Sequence, residues 1–395
     1  MKKLNFWKRI GAIFASVVVF GTLLAFSGCG EDETLKGGGT SAEPYQIETV
    51  ADFGKISMWD NATEKKYFVL MNDLDFAGEN VKTIAAFYGE LDGQNHSLFN
   101  FDCAEGTGLF HENFGTIKNL KIAGTQLNSY SVYTSVSPTN LQTAYVGGLV
   151  DINNGTIVNC GAQNVNVKLS TAKRMETGEL LSVYAGGLVG QSNGIMRYCY
   201  AKQCTVSAKG DIALTESSDG KCGAYAGGMV GGITQSATTE YCYGYGNNVE
   251  TFSRGGKTWS FTKAVLYSKA GGLIGANSSV KTKYIFAYEC AATASAEEAG
   301  KSKADIYYGR GEVIGVSYST CEYIYTLETE TQNVIGNANE LKATVKKIGS
   351  LNLLLEDADM QPPVTEWIVD DTNHIAFQEF LYAPLITVET EANAE

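Results

Sequence analysis

The stretch Ala185-Gly186-Gly187-Leu188-Val189-Gly190-Gln191-Ser192-Asn193-Gly194-Ile195-Met196-Arg197-Tyr198-Cys199-Tyr200 sets the architecture of this chain, because it recurs. Its opening block returns as Gly147-Gly148-Leu149-Val150, Gly227-Gly228-Met229-Val230 and Gly271-Gly272-Leu273-Ile274, with degenerate copies at Gly108-Leu109-Phe110 and Gly311-Glu312-Val313-Ile314-Gly315. The second position of each block falls at 108, 148, 187, 228, 272 and 312, in steps of 40, 39, 41, 44 and 40. Self-similarity at such a period predicts a solenoid, in which each repeat buries its apolar face against its neighbours.

Aligning the repeats on their first glycine brings Leu120, Cys160, Cys199 and Ile324 into one column, and small insertions bring Cys242 and Ile285 to the same place. Ile117, Ile157, Met196 and Cys321 stand three residues earlier, and Val165, Cys204 and Cys290 five residues later. The flanking columns read Asn119, Asn159, Tyr198, Tyr241, Tyr284, Tyr323 before and Lys121, Gly161, Tyr200, Tyr243, Phe286, Tyr325 after. Alternation of the Tyr-Cys-Tyr kind has the period of a strand, which predicts the middle column inward and both flanks outward. Asn153-Asn154-Gly155 and Ser192-Asn193-Gly194 supply turns, since Asn and Gly tolerate positive φ. Each unit is therefore expected to be one coil of three short strands followed by an excursion leaving the shaft, such as Lys168 to Ser182, Ala208 to Lys221 or Thr251 to Thr262. A count of two coils per unit competes with this. One coil is preferred, because only about half of each unit aligns, as when insertions map to loops.

The column also explains the cysteines. Cys103, Cys160, Cys199, Cys204, Cys222, Cys242, Cys290 and Cys321 show no CxxC spacing and no neighbouring histidine to complete a zinc site. Where they align they alternate with Leu, Ile, Val and Met, so buried thiols are expected rather than disulfides, although an exported chain could oxidise them.

Export itself is written in the first residues. Lys2, Lys3, Lys8 and Arg9 precede an apolar run from Ile10 to Phe26 that meets Ser27-Gly28-Cys29. A charged start, an apolar stretch and small residues make a secretory signal. Small residues directly before a cysteine resemble a bacterial lipobox, which implies cleavage before Cys29 and acylation of that residue; Phe26 departs from the leucine the pattern favours. An uncleaved membrane anchor is the alternative. Losing residues 1–28 removes four positive charges and no negative ones, taking the net charge from −13 to −17. So acidic a chain is not expected to bind nucleic acid or an anionic membrane surface electrostatically. Its membrane contact would run through lipid alone.

With their Tyr198-Cys199-Tyr200-Ala201 counterparts, the Gly-Gly-Leu-Val-Gly blocks resemble the GLUG-motif repeat family and, more broadly, the pectate-lyase-like right-handed parallel β-helix. Tyr67 to Phe76 and Phe87 to His96 resemble the first coils of such proteins, and Trp367 to Leu385 their closing segment. The resemblance implies an all-β solenoid of about six repeats with a short N-terminal capping helix and a C-terminal cap. The division expected is a signal peptide at 1–28, a flexible acidic tether at 29–44, cap and first coils at 45–105, repeats at 106–340, and a C-terminal cap and tail at 341–395. The helix falls on Thr49-Val50-Ala51-Asp52, which opens an apolar-periodic run through Phe53, Ile56 and Trp59.

Chemistry is harder to find. His96, His111 and His374 occupy no repeated column, and His111-Glu112 fails as a zinc-protease box because Gly115 stands where a histidine is needed. Asp73, Asp75 and Asp92 read as hydrogen-bonding turn residues in preference to a catalytic carboxylate pair. Neither cofactor nor metal is expected. The reading is a lipid-anchored surface protein, an adhesin or a module binding a glycan or a cell-surface protein, without catalysis. A glycan-cleaving enzyme with its site in the loops, or a passive stalk, are the alternatives. Binding would fall on the aromatic columns, Tyr198, Tyr241, Tyr284 and Tyr323 beside Tyr200, Tyr243, Phe286 and Tyr325, unless these rings only stiffen the shaft.

Overall fold

The computed structural model describes residues 35–59, 64–79, 81–103, 107–124, 126–134, 142–175, 179–214, 219–257, 264–300, 304–327, 333–336, 343–348, 367–369 and 375–377. Cys29 and His374 lie outside the described residues, as do Leu351 to Leu355 and Pro384 of the expected cap. Among the described residues, no helix is long and apolar enough to cross a membrane.

The chain is a parallel β-solenoid with one coil per repeat. Taking one coil, strands run Val150–Asn153, Thr156–Gln163, Asn166–Met175 and Glu179–Gly186. Each pairs in parallel with its counterpart one unit on: Val150 with Val189, Gly161 with Tyr200, Asn166 with Thr205, Tyr184 with Tyr225. Repetition builds four faces, of seven strands, thirteen strands, and twice five strands in coil order. The excursions do not leave the shaft as loops. They form the third and fourth faces, whose strands stay in register from coil to coil. Alternating apolar residues explain this: Leu169, Ala208, Leu181, Val183, Cys222 and Leu266 join the main core, so the two arms of each excursion bury a shared face.

The glycine block makes the corner between the fourth face and the first. Gly187 donates its amide to the Gly228 carbonyl, and the same joint recurs from Gly148 to Gly186, Gly228 to Gly271 and Gly272 to Gly311. A Cβ on Gly148, Gly187 or Gly228 would collide with the carbonyl oxygen of the next coil, so only glycine lets the backbones close to this distance.

Inside, the cysteine column stacks as expected. Cys160 faces Leu120, Cys242 faces Ile285, Ile285 faces Ile324, and the Cys199 carbonyl accepts the amide of Tyr243. The thiol of Cys160 donates to the carbonyls of Val158 (3.3 Å) and Ile117 (3.6 Å), and that of Cys199 repeats this with Arg197 (3.2 Å) and Ile157 (3.6 Å). All eight described cysteines are free and buried. Burial pushes the Cys204 thiol up to about 12, so it stays protonated and inert.

The N-terminal end is plugged by the helix Val50–Lys55, capped by Thr49 and Asp52 in a reciprocal box. Phe53 and Ile56 are buried, and Phe53 meets Phe76 and Phe110 edge-on at 5.8 and 6.1 Å. Here the sequence reading needs a correction, because Leu35 to Pro44 is not a loose tether. Leu35 is buried, Lys36 bridges Gln46, and Gly37 and Gly39 adopt φ of 100° and 68° to turn the chain back. The glycines close a turn under an apolar anchor. At the other end, Ala343–Ile348 adds a strand to Cys321–Leu327, and Trp367–Val369 pairs antiparallel with Ile375–Phe377.

Candidate functional site

The first aromatic column does not follow simple strand alternation. Asn119, Asn159, Tyr198, Tyr241, Tyr284 and Tyr323 all adopt φ between 52° and 56°, the left-handed region. A second left-handed column lies five residues on, at Gly124, Asn164, Gln203, Gly246 and Glu289. The first makes a corner within the second face and the second the corner between the second and third faces, as at Asn164 between Thr156–Gln163 and Asn166–Met175. A left-handed backbone costs an ordinary L-residue about 1–2 kcal/mol, and asparagine less. The asparagines therefore marked the first corner in the sequence, and the tyrosines that follow in the same column concealed it.

Two compensations hold this corner. In the first coils an amide ladder does so: Asn159 Nδ2 donates to Asn119 Oδ1 (2.9 Å), and Asn119 Nδ2 donates to Asp92 Oδ1 (3.0 Å). Further along, Tyr198, Tyr241, Tyr284 and Tyr323 stack with centroids 5.3, 4.9 and 4.7 Å apart and planes within 16°. Stacked pairs contribute about 0.5–1.5 kcal/mol each, which offsets part of the strain. These four rings are partly exposed. Their faces are spent on one another, so they offer a partner edges and hydroxyls. Lys283 lies 5.3 Å over the Tyr284 ring, and burial holds the Tyr241 phenol up at about 12.

The second column is not a surface. Tyr200, Tyr243, Phe286 and Tyr325 are at most 4% exposed and form, with Tyr288, a cluster separate from the main core. Tyr200 lies on Gly161, where a Cβ would overlap the ring, and stacks on Tyr243 at 5.3 Å. Lys202 reaches over both rings at 5.7 Å. As they stand, these four residues cannot meet a partner, so the expected pair of ladders reduces to one.

A third ladder was missed. Tyr145, Tyr184 and Tyr225 stand two residues before their glycine blocks and stack at 5.5 and 4.7 Å on the fourth face. Their fixed offset from the block was the available signal. Beside them lies a cavity of about 350 Å3.

The candidate carboxylates serve turns. Asp73 accepts the Ser97 amide (2.7 Å) and faces His96 (3.3 Å) one coil away, Asp75 accepts the Ala77 amide (2.8 Å) and Asn100 (3.1 Å), and Asp92 accepts the Gln94 amide (2.9 Å). His111 pairs instead with the buried Asp151 (3.0 Å), which also accepts the amides of Gly108 (2.8 Å) and Gly147 (3.1 Å). Hydrogen bonding to Asp151 raises the His111 pKa; burial raises that of Asp151 against those same donors. This contact braces the glycine corner where the block is degenerate.

No family model matches the chain, and no curated protein matches it. Among solved structures it is similar to one described as a putative immunoglobulin A1 protease from Bacteroides ovatus, at 18% identity and a TM-score of 0.45, over 86% of this chain and 94% of that one.

Proposed function

We propose that this protein is a lipid-anchored bacterial surface solenoid, of the GLUG-repeat kind, that binds a glycan or a cell-surface protein without catalysis. The observation that carries the reading is the partly exposed tyrosine ladder Tyr198–Tyr241–Tyr284–Tyr323, held in register by the coils. Ring edges and hydroxyls repeated at the coil spacing suit an extended, repeating partner, since tyrosine gives contact area with little rotamer entropy to lose. Anchoring rests on Cys29 and its preceding small residues. Labelled fatty acid should enter the wild type and not Cys29→Ala; an unlabelled wild type defeats the anchoring.

The binding reading is tested with Tyr241→Asn, Tyr284→Asn. Asparagine already holds this left-handed corner at Asn119 and Asn159, so the substitution removes the rings and keeps the bend. On an array of glycans and cell-surface proteins, capture should fall while the melting temperature moves little. Undiminished capture would leave the ladder purely structural.

A further inference from the structure

The groove at the corner between the fourth and first faces lies outside the core, and its floor is where side chains shrink. The outer column of the first face reads Gln191, Gly232, Ala276, Val316 in successive coils. A glycine and an alanine thus sit between two longer residues, a dent two rungs long, or about 10 Å at the strand spacing. Tyr184 leans over Gly232, where a Cβ would come within 2.7 Å of its ring. Tyr184 and Tyr225, stacked at 4.7 Å and 10°, make one wall. Tyr318, 54% exposed, lines the groove as well, with Gln235 and Ser278 on the rim. The volume of this open groove, about 350 Å3, falls in the range of small-ligand sites.

The chemistry of the lining selects the ligand. In a chain of net charge −13, no carboxylate, ammonium or guanidinium lines this groove. An ion would find no counter-charge there, whereas a neutral polyol finds aromatic edges, amides and hydroxyls together. A peptide fits less well. The strand Val189–Ser192 is paired on both sides, with Val150–Asn153 and Val230–Ile233, and the latter is paired onward with Ile274–Asn277. No open edge remains to hydrogen-bond a main chain.

We propose that this groove is a subsite for a neutral saccharide, spanning roughly two linked sugar rings. The inference rests on the surface-binding reading above and gives it a second locus and a ligand class.

The test uses the full chain, a panel of neutral hexasaccharides (malto-, cello-, manno- and xylo-), and a random peptide library as competitor class, read by saturation-transfer NMR and titration. Two variants probe the groove: Gln235→Ala, Ser278→Ala, Tyr318→Ala strips the rim, and Ser278→Phe fills the mouth. At least one hexasaccharide should bind the wild type, and both variants should weaken it tenfold or more at an unchanged melting temperature. Binding kept within twofold in both variants overturns the inference, and if Tyr241→Asn, Tyr284→Asn abolishes that binding the surface-binding reading still stands. Capture of peptides with no hexasaccharide bound overturns the saccharide and leaves a protein-binding surface. Absence of any capture overturns both.

Discussion

The first coils and the later ones meet the same mechanical demand with opposite chemistry. Both must hold a left-handed residue at the same corner. From Asp92 through Asn119 to Asn159 the corner is wired by polar side chains, with Lys118 bridging Glu90 and Asp92 beside it (2.8 and 3.4 Å). From Tyr198 to Tyr323 it is held by stacked rings. The polar solution uses residues that tolerate the backbone. The aromatic solution accepts the strain and offsets part of it with packing. Only the second leaves a repeated surface that a partner could meet.

The largest test of the contrast lies in what both halves share. Cys199→Asp places an unpaired charge in the common core and should cost more than about 4 kcal/mol, abolishing a cooperative melt. Cys160→Val should lose less than about 1.5 kcal/mol, because it keeps a small apolar side chain in a column that already accepts Leu and Ile and gives up only weak, long S–H contacts.

Next comes the junction of the two halves. Gly161→Val should drive a side chain into the Tyr200 ring and cost about 1–3 kcal/mol, seen as a lower denaturant midpoint at unchanged slope. A neutral outcome would mean that the aromatic cluster yields freely.

The corner itself gives about 2 kcal/mol. Asn159→Leu loses an amide hydrogen bond and puts a branched residue at φ 52°, whereas Tyr241→Asn trades stacking for a relaxed backbone and should be near neutral. Equal losses at the two sites would erase the distinction between the halves.

The smallest effect is in pH dependence, where two named groups act with opposite sign. His111 has its pKa raised above 6.5 by Asp151. A base with a raised folded pKa stabilises fully below its unfolded value, so this contribution is lost as pH rises from 6.5 through the folded pKa. Lys269, buried with its ammonium on the Tyr308 carbonyl (2.9 Å), is lowered to about 8 by burial. Folding then favours the neutral amine, so stability rises from pH 8 towards 10. Above that, tyrosines such as Tyr184, whose burial raises the phenol from 10, ionise more readily in the unfolded chain and reverse the gain. Melting curves of His111→Asn and Lys269→Met should each flatten one limb, and Lys269→Met should raise the melting temperature at neutral pH. Unchanged limbs would remove these groups from the account.

Periodicity and composition made much of this legible. The forty-residue step, the inward cysteine column and the helix plug at Thr49 follow from spacing and residue type, because burial imposes both. Three features did not. A left-handed corner inside a strand is invisible to a period-two reading, and Tyr198 is not a residue expected there. The long excursions looked like loops because their sequences differ between coils, yet backbone pairing needs only alternation, not identity. The burial of Tyr243 and Phe286 depends on what lies over an outward face, which no column alignment records. Of the candidate site, the ladder from Tyr198 was thus readable, its neighbour was misread, and the Tyr184–Tyr225 groove went unnoticed because small residues signal a hollow only once their register is known.

The glycine joint has a consequence for modularity. Each coil meets the next there through a backbone hydrogen bond between glycines, Gly187 to Gly228 and onward, and that bond needs no matching pair of side chains. Units of 39 to 44 residues are accommodated, part of the surplus falling between paired strands, as in the turn from Thr234 to Ala237, where four residues stand in place of Asn193-Gly194. Length then becomes a countable quantity, with each duplicated unit extending the shaft by one strand spacing of about 4.8 Å at constant cross-section. Such a chain can be lengthened or shortened in whole steps by copying or deleting a unit of sequence, while the corners and the core keep their form.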